Sequence, residues 1–85
     1  MRRMKKGTET LDVIEFIITQ NFWEYYVLEI DENNIAFCLV HGFETELGYV
    51  CLEEIKPYIQ CRTKDLTMQP AIGWHWENER QEDLT

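Results

Sequence analysis

Two strand-forming runs meeting at one polar turn constrain this chain more than any other feature. Phe22-Trp23-Glu24-Tyr25-Tyr26-Val27-Leu28-Glu29-Ile30 is dense in aromatic and apolar residues, a composition that favours a pleated strand over a helix. Asp31-Glu32-Asn33-Asn34 interrupts it with side chains that hydrogen-bond locally and tolerate left-handed backbone, so a tight turn is predicted there. Ile35-Ala36-Phe37-Cys38-Leu39-Val40-His41 follows as an almost wholly apolar run, which reads as a central strand covered on both faces. Gly42 and Glu44-Thr45-Glu46 close it, and Gly48-Tyr49-Val50-Cys51 returns as a short fourth strand.

The segment upstream is ambiguous. Leu11, Ile14 and Ile18 share a helical face with Thr10 as a cap, whereas Val13, Ile14, Ile17, Ile18 and Thr19 are β-branched and favour a strand. The hairpin reading is preferred, with its break at Gln20-Asn21. Helical character arises at Leu52-Glu53-Glu54-Ile55-Lys56, whose acids suit a helix N-terminus and whose length is limited by Pro57. The expected fold class is α+β: an antiparallel β-meander of three to four strands over about 13–51, with one short helix in 52–60 packed on the sheet. Core positions follow as Val27, Ile35, Phe37, Leu39, Val50, Leu52 and Ile55, with Phe37→Ala costing the roughly 3–5 kcal/mol of a fully buried aromatic. Residues 61–70 read as loop or edge strand, and Trp74-His75-Trp76 as part of the tail end. The chain divides into a flexible basic arm (1–9), a single α+β domain (10–76) and an acidic tail (77–85).

Charge sharpens the picture. Four of the eight basic residues lie in the first six positions, and residues 7–85 carry four basic against sixteen acidic groups, a net of −12. Such a body repels phosphate backbones, so no direct nucleic-acid binding is expected, and it suits a basic protein partner. The same acidity also serves solubility. No apolar run approaches the roughly 20 residues that span a bilayer, and no membrane association is expected. Three cysteines, an odd number, without a secretory-leader pattern point to a reducing, cytoplasmic setting.

These pieces resemble a small bacterial family of uncharacterised function that recurs on plasmids and integrating elements. The likeness rests on Trp23-Glu24-Tyr25-Tyr26-Val27-Leu28-Glu29, on Phe37-Cys38-Leu39-Val40 with Gly42, and on Glu46-Leu47-Gly48-Tyr49-Val50-Cys51-Leu52-Glu53-Glu54-Ile55. Arg62 with Asp65-Leu66 is similar to that family's closing motif. Tyr25 stands where the family has a second tryptophan, and Cys38 where it has glycine. The resemblance implies a habitat on a mobile element or phage and implies no chemistry.

Cys38 and His41 have ligand-like spacing and Cys51, Cys61 or His75 could complete a zinc set, but on one strand Cys38 and His41 point to opposite faces. No metal site and no cofactor are expected; the thiols are expected to be reduced. A cysteine nucleophile would need His41 or His75 beside it and a third orienting group. The carboxylate pairs Glu44/Glu46 and Glu53/Glu54 would need a desolvated pocket for general acid work, and a chain this short is expected to have little room for one. The reading is therefore of a non-enzymatic protein-binding module or inhibitor. It would dock through an acidic, aromatic-edged face drawn from Glu44, Glu46, Glu53 and Glu54 with Tyr49 and Trp23, in one variant as a DNA mimic. The alternative is a minimal Cys/His-dependent enzyme or metal-binding domain, and the oligomeric state is open.

Overall fold

The computed structural model describes residues 1–77, and in it eight strands form two antiparallel sheets with a single short helix. Strands β1 (Arg2–Lys6), β2 (Glu9–Val13) and β8 (His75–Trp76) make a small sheet in the order β2-β1-β8. Strands β3 (Glu15–Thr19), β4 (Glu24–Ile30), β5 (Ile35–His41), β6 (Thr45–Cys51) and β7 (Ile59–Thr63) make the larger one, in the order β6-β5-β4-β3-β7. Helix α1 (Leu52–Ile55) runs into a 3₁₀ turn over Lys56–Tyr58, where Pro57 occupies the first turn, as its missing N–H allows.

The α+β class and the meander β3-β4-β5-β6 agree with expectation, but the strand count is higher and a second layer exists. Residues 11–19 are extended, divided at Ile14 into β2 and β3. The turn at Asp31 forms as its residues require. Asp31 Oδ1 accepts hydrogen bonds from the backbone N–H of Asn33 (2.8 Å) and Ile35 (2.9 Å), and Asn34 takes the left-handed conformation at φ 65°.

The basic N-terminus is not a mobile arm. It is strand β1, paired along its length with β2 and placing Met4 fully inside. The long basic side chains leave that strand for solvent or for partners: Arg3 Nε lies 2.8 Å from Asp12, and the Arg2 guanidinium sits 4.9 Å from the centre of the Trp76 ring. The end of the described chain is also structural. Trp74 is buried, and Trp76 Nε1 donates to the Met68 carbonyl at 2.6 Å. Of the acidic tail, only Glu77 falls within the described residues.

The large sheet carries a core on each face. On one, Phe16, Tyr26 and Leu39 meet Met4, Val13, Leu66, Ala71 and Trp74 from the small sheet and the 64–74 connection. On the other, Ile17, Tyr25, Val27, Ala36 and Cys38 meet Leu52 of the helix. Of the expected core, Val27, Leu39 and Leu52 are buried, while Ile35, Phe37, Val50 and Ile55 are only half-buried. The central strand is β4 rather than β5, because β3 and β7 extend the sheet on its far side. Phe37 consequently lies beyond the reach of the small sheet, and the cost of a fully buried aromatic does not apply to it.

A bulge explains one face assignment that simple alternation gets wrong. Val27 pairs with Cys38 and Glu29 with Phe37, leaving Leu28 as the extra residue in β4. Leu28 and Ile30 would share a face in a regular strand. Here Leu28 packs against one core and Ile30 against the other.

Candidate functional site

The expected docking residues distribute around strand β6. Glu44 lies in the β5–β6 turn and Glu46 in the first half of β6, both exposed; Glu53 and Glu54 lie on α1, just past the other end of the strand. A seven-residue strand spans about 20 Å, so the acids form two pairs at its ends rather than one cluster. Glu53 is partly committed, accepting a hydrogen bond from Asn34 Nδ2 at 2.8 Å. Tyr49 is 76% exposed in the middle of the strand. Trp23 and Tyr49 do not share a face: Trp23 packs with the helix-side core, whereas Tyr49 stands opposite Phe37, on the face of Leu39.

The same end of the sheet groups further apolar residues with Tyr49. Phe37 and Tyr49 are cross-strand partners with ring centres 4.9 Å apart, and Leu47 beside them is 47% exposed. Leu47 and Tyr49 alternate as partners on one strand face must. The strand begins at Thr45, ahead of the Gly48 start expected for its core, so Leu47 lies well inside it. At the hairpin tip Phe43 is 93% exposed, with its ring edge-on to Trp23 at 5.4 Å. Next to Leu47 a cleft of about 230 Å³ opens between the sheets, lined among others by Lys6, Glu9, Leu11, Leu39 and Trp74.

Gly42 is what lets Trp23 lie flat at this corner. A Cβ at position 42 would come within 2.5 Å of the indole ring. Gly42→Ala is expected to displace the ring, break its contact with Phe43 and cost about 1–3 kcal/mol, the usual penalty of overpacking. A shifted Trp23 indole N–H resonance with a lowered melting temperature would register it; an unmoved resonance would show that the corner yields elsewhere.

A second hollow, of about 440 Å³, lies on the helix side and is lined by Thr19, Gln20, Asn21, Tyr25, Ile55 and Tyr58. Its size corrects the expectation that so short a chain lacks room for a groove. Five of these six side chains carry a hydroxyl or an amide, although apolar atoms make up the larger part of the exposed wall. The Tyr25 phenol is held above its usual value by burial, with the Thr19 hydrogen bond opposing the shift, so it remains protonated at neutral pH.

The cysteines are all unpaired: Cys38 buried, Cys51 partly so, Cys61 exposed. Cys38 and His41 occupy opposite faces of β5 by strand alternation, and His41 Nδ1 sits 2.5 Å from Thr45 Oγ1 across the hairpin. Among the described residues no three His, Cys, Asp or Glu side chains converge on a point that could hold a metal ion. Burial, seconded by the charge of Glu15, pushes the Cys38 thiol from 9.0 up to about 12. The folded state thus keeps a proton that the unfolded chain releases, and stability should be level below pH 9 and fall as pH rises from there towards 12. Urea midpoints measured from pH 7 to 10.5 should show this decline, and Cys38→Ala should weaken it. Thiol reagents should label Cys61 in the folded protein and reach Cys38 only on unfolding.

Comparison with protein families, curated proteins and solved structures returns no match. No helix among the described residues is long and apolar enough to cross a membrane.

Proposed function

We propose that this chain is a non-enzymatic protein-binding module, one that docks a basic partner on the β5–β6 end of its larger sheet. The observation that carries this reading is the uncovered stretch of sheet where Leu47 and Tyr49 stand in solvent beside Phe37, although the small sheet and the 64–74 connection seal the same face farther along. Exposed aromatics grouped on a rigid sheet are the usual anchors of protein interfaces. The acids at both ends of β6 would steer a basic surface towards them. A role in engaging or inhibiting another protein also suits the mobile-element habitat implied by the resemblance.

The acidity itself favours steering over imitation of DNA. Asp12 is bonded to Arg3, Glu15 to Arg62, Glu24 to the Tyr26 hydroxyl, Asp31 to its own turn and Glu53 to Asn34. Carboxylates tied into the fold in this way are not free to array as phosphates.

Affinity capture from the native cell tests the reading when wild type is compared with Leu47→Ser/Tyr49→Ser and with Ile72→Ser. Ile72, a highly exposed residue (82%) of the 64–74 connection and not of β6, serves as the control. A partner retained by wild type and by the Ile72 variant, but lost with the β6 pair, supports the reading. Equal recovery by all three places the interface elsewhere.

A further inference from the structure

The hydrogen-bond pattern of the β5–β6 ladder defines what the outer edge of β6 offers. At one end of the ladder the Gly42 N–H donates to the Glu44 carbonyl (2.9 Å), and at the other the Leu52 N–H donates to the Asn34 carbonyl (3.1 Å). Between them the register is unbroken from His41↔Thr45 to Ile35↔Cys51. Antiparallel strands alternate between pairs that exchange backbone hydrogen bonds and pairs that do not. Residues 44, 46, 48, 50 and 52 therefore turn their backbone groups towards β5. Thr45, Leu47, Tyr49 and Cys51 turn theirs outwards, and among the described residues no strand pairs with that edge.

An open edge of seven residues without proline is a template for another strand, and proteins normally blunt such an edge. Here the blunting is electrostatic. A second copy laid antiparallel about Gly48 would bring Thr45 opposite Cys51 and Leu47 opposite Tyr49, which sets Glu44 of each copy against the Leu52-Glu53-Glu54 segment of the other. Like charges would meet at both ends, so the edge repels its own kind. The same four acids would attract a strand of the opposite sign.

We infer that β6 accepts an extended segment of its protein partner as a sixth strand, with basic residues at both ends of that segment and β-forming residues between them. This rests on the docking role proposed above and specifies its mode. The added strand takes its backbone bonds from Thr45, Leu47, Tyr49 and Cys51. Alternate side chains of that strand fall beside Leu47 and Tyr49, where the cleft between the sheets can receive one of them. The others lie on the opposite face, beside Glu46 and Val50. The other edge of the large sheet lacks such acids: on β7 Arg62 is paired with Glu15, and Lys64 and Asp65 follow the strand, so it would not favour the same ligand.

The test uses a synthetic peptide, Lys-Lys-Val-Thr-Val-Thr-Val-Lys-Lys, and a control with glutamate in place of every lysine. Amide hydrogen exchange is followed residue by residue on the full chain. The lysine peptide is expected to slow exchange at Leu47 and Tyr49 by about tenfold or more, without comparable change at Gly48 and Val50, which are already bonded to β5. The glutamate peptide should leave all four unchanged, and Glu44→Lys/Glu46→Lys should weaken the lysine peptide by about tenfold at low salt. Absence of protection at millimolar peptide, protection on β7 instead, or equal binding of both peptides overturns the inference. Protection of Leu47 and Tyr49 that grows with protein concentration alone overturns it in favour of a second copy. If the captured partner depends on Tyr49 yet protects no β6 amide, the docking role stands and strand addition falls; if capture ignores Tyr49, the docking role itself falls.

Discussion

Replacing Tyr26 with alanine is expected to cost about 3–5 kcal/mol, a large part of the stability a domain of this size possesses. Tyr26 is wholly buried on the central strand, and it is where the two layers meet. Its ring packs at 5.1 Å from Phe16, and it shares its core with Met4 of the small sheet and with Ala71 and Trp74. Its hydroxyl donates to Glu24 Oε1 at 2.8 Å, and burial, reinforced by that carboxylate, holds the phenol well above its ordinary range. Removing the ring would leave a cavity between layers that rigid strands cannot close. Tyr26→Phe separates the contributions: keeping the ring and losing one bond to a charged acceptor should cost about 1.5–3 kcal/mol. Thermal or urea unfolding measures both. An alanine variant melting within a few degrees of wild type would mean that the layers are not held together here.

Arg62→Ala is the second large effect, expected at about 3 kcal/mol, for a reason opposite to cavity formation. The Arg62 guanidinium binds Glu15 through two nitrogens, joining β7 to β3. The pair is asymmetric, since the carboxylate side chain is 7% exposed and the guanidinium 40%. Loss of the arginine strands a buried negative charge, whose penalty lies at the lower end of the range for such pairs because water reaches the arginine side. Loss of both charges should be far milder. Glu15→Leu/Arg62→Leu is expected within about 1 kcal/mol of wild type, because an apolar pair removes the burial penalty together with the attraction. A double variant as unstable as the single one would show that the ion pair itself, and not the orphaned charge, is what β7 needs.

The features legible in the sequence were those decided within a few residues. The Asp31 turn was readable because its side chain closes it locally, and the strands around it because their aromatic and β-branched residues leave few other options. Strand β1 was not, because Arg-Arg-Met-Lys-Lys offers one apolar residue in five. A strand that covers a core from outside needs only that one, and what holds it lies near the other end of the chain, where Trp76 and the Leu66 carbonyl receive Arg2. The alternation of Trp74 and Trp76 was a strand signal, hidden by their nearness to the acidic tail. The bulge at Leu28 had no local cue either, since it answers to the register of β5. For the candidate site, Tyr49 and the acids, two on either side of the strand, could be named from sequence. That the edge between them is bare follows from the place of β6 at the margin of the sheet.

The pairing of the first strand with the last also sets an order of events in synthesis. Met4 lies opposite Trp76, and the lid over Phe16 and Tyr26 draws Leu66, Ala71 and Trp74 from the final third of the described chain. The β3–β6 meander joins neighbours in sequence and can assemble as it leaves the ribosome. Its aromatic face must then wait, uncovered, until residue 76 has emerged, and closure of the small sheet pays the entropy of the longest loop closed among the described residues. During that interval the nascent chain exposes both an unsealed core and the open edge of β6, and the four acids flanking that edge oppose its pairing with the chain that follows on the same message.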